Sequence, residues 1–175
     1  MSGLLVDVGS LVGRPGTSRN IDLTERIPGL QTALGWVEEN DPVHVEVTAE
    51  SVLEGIEVTG WISGKLRLRC SRCLVDYVEP FRQAVDEVFS TGTSPDEEEG
   101  YRLNGDLMDL EPMVRDLVVL AIPVVPLHSE DCRGLCPECG VDLNVIDCGH
   151  RVDATDTRWA PLRSLEGLLS STEEE

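Results

Sequence analysis

Aromatic side chains are scarce in this sequence, at 4% of residues, and positive charge is outnumbered: 14 Lys and Arg stand against 33 Asp and Glu, a formal charge of −19 at pH 7. A uniformly negative surface repels nucleic acid, so phosphate binding over the whole protein is excluded and any RNA contact must be a local patch. The same charge fits a basic protein partner. Long apolar runs are missing too. The longest, Leu117 to Ile122, is far below the ~20 residues a membrane-spanning helix needs. The segment Met1–Asp7 has neither the positive flank nor the apolar length of a signal peptide. A cytoplasmic protein without membrane contact is expected. No G-x-S-x-G, H-E-x-x-H, Gly-rich phosphate loop or plausible triad is present, so a binding protein is expected and not an enzyme.

What remains is a chain of 175 residues, 41% hydrophobic, enough for one domain or one domain with a small appendage. Leu4–Val8 reads as a short strand, Pro15-Gly16-Thr17-Ser18 as a break, and 21–40 carries no clear period. Val43, Val45 and Val47 then alternate with polar residues, the signature of a strand with one buried face. After a turn over Ser51–Gly55, Ile56, Val58, Gly60, Ile62, Gly64, Leu66 and Leu68 share one face of a long strand, whose two glycines predict a bulge or sharp curvature. A second strand over Val75–Phe89 is expected to return antiparallel, with Pro80 placing it at an edge or on a bulge. The acidic stretch Thr91–Gly100 reads as a solvated loop. Asp109 is placed to cap a helix on which Leu110, Met113, Val114, Leu117, Val118 and Ala121 form one stripe and which Pro123 ends. This helix is expected to cover the sheet. A last short helix over Arg158–Leu169 precedes an acidic tail, Ser170–Glu175.

Four of the six cysteines and two of the three histidines fall between His128 and His150; the other cysteines are Cys70 and Cys73, at the expected hairpin tip. Cys136-Pro-Glu-Cys139-Gly140 has the form of a zinc knuckle, in which a tight turn aims backbone N–H groups at sulfur and the glycine permits a left-handed residue. Cys70-Ser-Arg-Cys73 has the same spacing. Neither pair opens a helix after a strand, as a thioredoxin-like redox site does. An even cysteine count leaves a disulfide framework open, but clustered thiols in a reducing compartment more often hold metal. Eight soft ligands divide in two ways. Either Cys136, Cys139, Cys148 and His150 hold one zinc while Cys70, Cys73, His128 and Cys132 hold another, or the two C-x-x-C pairs share one. The chain between Cys139 and Cys148 has eight residues and that between Cys73 and Cys136 has 62. Closing the longer loop costs about 2 kcal/mol more, which favours two sites. Thiolate-rich, closed sets are structural and not catalytic. His44, on the polar face of a strand, reads as a surface residue.

Lys65, Arg67 and Arg69 project from the polar face of the long strand beside Trp61, with Arg72 inside the knuckle and Arg82 on the next strand. These residues form a candidate RNA or partner contact, arginines on phosphates and a base on the indole. The competing reading pairs them with acids of a neighbouring strand, such as Asp76 or Glu79.

In order along the chain, Cys70-Ser-Arg-Cys73-Leu74, the helix ending Leu117-Val-Val-Leu-Ala-Ile-Pro123 with Pro126, Cys132-Arg-Gly-Leu-Cys136-Pro-Glu-Cys139-Gly140-Val-Asp-Leu143-Asn144 and Asp156-Thr-Arg158 resemble the YceD family, over roughly Gly60 to Leu165. These are the large-subunit ribosomal RNA accumulation proteins of bacteria and plastids. The resemblance implies a cytoplasmic, non-enzymatic factor for synthesis, processing or accumulation of that RNA, whose partner is the RNA itself or a basic ribosome-assembly protein. In many relatives the positions of His128 and His150 are cysteines, which implies a ligand role here. Some relatives lack most of the C-terminal cluster.

The expected architecture is α+β: a curved antiparallel sheet with a covering helix over 1–125, and a zinc-knuckle module with an acidic tail over 126–175. The competing functions are a zinc-stabilised adaptor without RNA contact and a thiol redox protein.

Overall fold

The computed structural model describes residues 3–91 and 100–150, together with Arg158 and Leu162. The expected last helix and the acidic tail fall outside the described residues, as does the acidic loop over 92–99.

Two period-two stretches, β4 (Val43–Ser51) and β5 (Gly55–Arg69), alternate buried and exposed residues as their sequences dictate. They pair antiparallel, and β5 pairs along its whole length with β6 (Asp76–Ser90), the expected long hairpin. Strands β1 (Leu5–Asp7), β2 (Ser18–Glu25), β3 (Gly35–Trp36), β7 (Tyr101–Asn104) and β8 (Leu107–Asp109) complete one sheet, ordered β1-β8-β7-β6-β5-β4-β2 with β3 beside β5. The sheet is curled. One correction follows. Strand β7 runs parallel to β6, through Phe89–Tyr101 and Ser90–Arg102, so the sheet is mixed and not purely antiparallel. With a single helix among the described residues, the protein is also more β than α+β.

Register through Gly60 is unbroken on both sides of β5, and through Gly64 on the β6 side, so neither glycine marks a bulge in these ladders. A Cβ on Gly60 would collide with the Glu46 carbonyl and stand 2.8 Å from the Val47 Cα. At Gly64 the missing side chain leaves room for the Phe81 ring. Gly60→Ala is therefore expected to cost about 2–3 kcal/mol, because φ is +148° there and rigid backbone, not a flexible side chain, blocks the methyl. The measurement is the shift in urea midpoint. Pro80 interrupts no register either; over Asp76–Val88 no described strand covers the other side of β6, the edge position expected for a proline.

The helix α1 (Glu111–Ala121) buries Met113, Val114, Leu117 and Val118, the expected stripe, in one apolar cluster with Val45, Ile56, Val58, Ile62, Leu66, Leu68 and Phe89. Asp109 accepts a hydrogen bond from the Glu111 N–H at 3.0 Å, but from one residue before the cap position, which Leu110 occupies. The stretch over 21–40, unassigned from sequence, holds the end of β2 and all of β3. Strand β2 gave little signal because it fully buries only Ile21.

The chain forms two compact units, one ending at Cys132 and the other beginning at Arg133. The segment Pro126–Cys132, grouped from sequence with the C-terminal module, thus belongs to the sheet unit.

Candidate metal centres

Both C-x-x-C pairs fold into the same turn. In the first, the Cys70 N–H donates to the Val75 carbonyl and the Leu74 N–H donates back to the Cys70 carbonyl, each at 2.9 Å. In the second, the Cys136 N–H donates to Val141 and the Gly140 N–H to Cys136, each at 2.8 Å. The residue after the second cysteine is left-handed in both: Gly140 at φ 72° and Leu74 at φ 60°. Glycine holds that conformation without strain, whereas leucine there costs about 1–2 kcal/mol. Leu74→Gly relieves this strain but loosens the unfolded chain, so stability should change by less than about 1 kcal/mol. Leu74→Val, branched at Cβ, should lose more. Thermal melts of the two variants separate these outcomes.

The first turn lies in the sheet unit, at the tip of the β5–β6 hairpin. Arg69 and Asp76 close the strands beneath it through two hydrogen bonds, of 2.7 and 3.1 Å, and the guanidinium holds the Asp76 carboxyl below its ordinary range. The segment after α1 returns to the tip, where the Ser71 N–H donates to the Pro126 carbonyl at 2.8 Å. Arg72 fixes the same segment, donating to the carbonyls of Glu130 and Cys132 at 3.2 and 2.9 Å. These contacts bring His128 and Cys132 onto the turn. Cys70 and Cys132 Sγ stand 3.7 Å apart, and Cys73 Sγ is 3.3 Å from His128 Nδ1. Three thiols are buried and His128 is exposed.

The second group lies wholly in the C-terminal unit. Cys136 and Cys148 Sγ are 3.7 and 3.4 Å from His150 Nδ1, and Cys139 completes the set. Asn144 Oδ1 accepts the Arg133 N–H at 2.8 Å and the Leu143 N–H donates to the Gly134 carbonyl, holding the chain around the knuckle. Only Cys136 of these four ligands is buried.

In each group all four ligand atoms lie within 4.8 Å of one another. A tetrahedral ion with metal–sulfur bonds of about 2.3 Å sets its ligands about 3.7 Å apart, so both groups fit such an ion. A disulfide needs about 2.05 Å, and all six cysteines are free thiols. Local electrostatics prepare one thiolate per site. Burial raises the Cys70 thiol, but the His128 ring and the N–H groups of Cys73, His128 and Arg72 outweigh it and bring Cys70 down to about 5. Burial pushes neighbouring Cys73 up to about 11. At the other site the Cys139 N–H, supported by that of Glu138, prevails over burial and holds Cys136 down to about 6. A cation shared by all four ligands would favour the thiolate form of their neighbours as well.

The eight ligands named from sequence therefore gather as two fours. His44 belongs to neither; its Nδ1 meets Thr24 Oγ1 at 3.0 Å. The basic face divides differently from the expected strip. Arg69 pairs with Asp76, Arg67 pairs with Glu38 at 3.1 Å, and Arg72 is spent on backbone carbonyls. Glu79 lies opposite Leu66 on the other face and neutralises none of them. Glu38 went unnoticed because the stretch around it has no period. Trp61 is 43% exposed, with the Arg82 guanidinium over its ring at 4.4 Å. Lys65 makes no ion pair among the described residues.

An uncharacterized protein of Mycobacterium tuberculosis is 33% identical over 98% of this chain and 85% of its own length. The uncharacterized protein YlbN of Bacillus subtilis is 29% identical over 91% of this chain and 93% of its own. The large ribosomal RNA subunit accumulation protein YCED homolog 1, chloroplastic, of Arabidopsis thaliana is 24% identical over 77% of this chain and 52% of its own. No solved structure matches the chain. The family model described as large ribosomal RNA subunit accumulation protein YceD matches residues 58–166, a span that takes in most of β5, the hairpin tip, α1 and both ligand groups, and the chain belongs to that family.

Proposed function

We propose that this chain is a non-enzymatic ribosome-biogenesis factor that supports synthesis, processing or accumulation of large-subunit ribosomal RNA and acts in the cytoplasm with two structural zinc ions. The carrying observation is the family match across residues 58–166, together with a relative whose name states that role. Zinc is the ion best suited to Cys3His sets at these spacings. Four protein ligands at each centre leave no open position for substrate, which supports a structural role. The partner is large-subunit ribosomal RNA or a basic protein of the assembling particle. No helix among the described residues is long and apolar enough to cross a membrane.

One observation favours a second reading, an adaptor that meets only protein. Arg67, Arg69 and Arg72 are already engaged within the chain. A thiol redox role has less support, because the thiols sit in groups of three with a histidine and not as an isolated reactive pair. Purifying the tagged chain from cells and sequencing its bound RNA, with zinc measured on the same sample, tests the proposal. Large-subunit precursor RNA and two zinc ions per chain are expected. Recovery free of ribosomal RNA and ribosomal protein would count against it.

A further inference from the structure

Around Ser63 the outer face of the sheet gathers donors from three strands. Ser63 lies opposite His44 on β4 and opposite Arg82 on β6. Cross-strand neighbours of this kind stand about 5 Å apart. Trp61 and Lys65 flank Ser63 two positions away on the same strand and face, about 7 Å along it. Lys65, Arg82 and His44 are exposed. Neither Lys65 nor Arg82 forms an ion pair with a carboxylate among the described residues; the Arg82 guanidinium lies over the Trp61 ring at 4.4 Å. Thr24 occupies His44 Nδ1, which leaves Nε2 without a partner among the described residues. Beside these groups lies a groove of about 350 Å³ whose lining includes His44, Ser63, Lys65, Pro80, Phe81 and the carboxylate of Asp41.

From this juxtaposition we infer that the face formed by His44, Trp61, Ser63, Lys65 and Arg82 is a binding site for single-stranded RNA, taking one or two phosphodiesters on Lys65 and Arg82 and a base against the Trp61–Arg82 stack. Two unneutralised cations, a hydroxyl and an imidazole supply donors for phosphate oxygens, and an exposed indole supplies a face that any base can use. On a chain of charge −19, two neighbouring cations that no carboxylate pairs among the described residues are where an anion can approach. The acids bordering it, Glu46 opposite Trp61 and Asp41 in the groove, keep the footprint short. A duplex, with its bases stacked inside, offers nothing to the indole. The site rests on the ribosomal reading given above, and it differs from the strip expected from sequence: Arg67, Arg69 and Arg72 drop out, while His44 and Ser63 enter.

The test is fluorescence anisotropy of a labelled 12-nucleotide single-stranded RNA and of its duplex, with the full chain loaded with zinc. Single-strand binding at low salt is expected, with log affinity falling against log salt with a slope of about −1.4, as two phosphate contacts give. The duplex should bind more weakly. Lys65→Gln with Arg82→Gln should weaken single-strand binding by about tenfold, Trp61→Ala by about tenfold, and Asp41→Asn should strengthen it two- to threefold, because it removes a repelling charge. The glutamines are solvent-facing, and unchanged thermal melts verify folding. No binding to the oligomer, or equal binding by the Lys65/Arg82 variant, overturns the site. So does a variant that loses a co-purifying protein while neither form binds RNA, since the face is then a protein contact. Recovery of precursor RNA from cells by both the wild type and the variant would leave the ribosomal role standing and this site refuted.

Discussion

Stripping zinc with a chelator is expected to unfold the C-terminal unit and leave the sheet unit folded. The reason is the distribution of buried apolar surface. In the described residues from Arg133 to His150 the only buried side chain is Cys136, while Val145 and Ile146 are 78% and 54% exposed. A segment with no hydrophobic core cannot offset the entropy of ordering its backbone, about 1–2 kcal/mol per residue. Structural zinc can supply about 10–16 kcal/mol in small metal-dependent domains, the largest single term available to order such a segment. The sheet unit instead buries an extended cluster from Leu4 to Ile122, and burial on that scale is expected to hold it without metal. Hydrogen exchange read by mass spectrometry separates the two cases. After chelation, amides over 133–150 should lose their protection while β4, β5 and β6 keep theirs, and zinc should restore the difference. Unchanged protection over 133–150 in demonstrably metal-free protein would show that something other than the ion orders it.

Removing one ligand from each site in turn should give a different pattern at each. Cys70→Ser is expected to lower zinc from two ions per chain to one and to destabilise the sheet unit by about 4 kcal/mol, the linkage from an ion present at a thousand times its dissociation constant. The ion at this site fastens the tip of the longest hairpin to the segment after α1, between positions 62 residues apart in sequence at Cys70 and Cys132. Cys139→Ser should also leave one ion, yet leave the sheet unit's unfolding midpoint unchanged, because its ligand set lies wholly within the other unit. Metal analysis and urea titration of the two variants and the double variant are the measurements. Two ions retained by Cys70→Ser, or a large loss of sheet stability in Cys139→Ser, would contradict the division into independent sites.

Local chemistry was open to reading along the chain. Both C-x-x-C turns follow from spacing alone, and the turn geometry proved the same at each. The alternation over Ile56–Leu68 and the stripe on α1 were legible because burial on one face imposes a period on neighbouring residues. Pro80 in a strand with one uncovered edge was legible for a related reason, since proline is restricted by its own backbone, whereas the close approach of β4 to Gly60 was not. Strand β2 was not, since a single fully buried residue makes no period. The parallel β7 was not either, because the direction of a pairing is set by where the chain returns and not by composition.

The basic face marks the boundary between the two kinds of information. Alternation placed Lys65, Arg67 and Arg69 on one face correctly, but which of them keeps a free charge depends on acids brought by other strands. Asp76 arrives through the hairpin and Glu38 beside β3, and they take Arg69 and Arg67. Arg82 arrives over Trp61 through a register that no single strand encodes. The sequence alone thus determined the turns, the long hairpin, the covering helix and the eight candidate ligands, because each is fixed by residues close together in the chain. Tertiary structure decided how those ligands divide and which cations remain available, because metal geometry and charge neutralisation depend on distances between residues far apart in the chain.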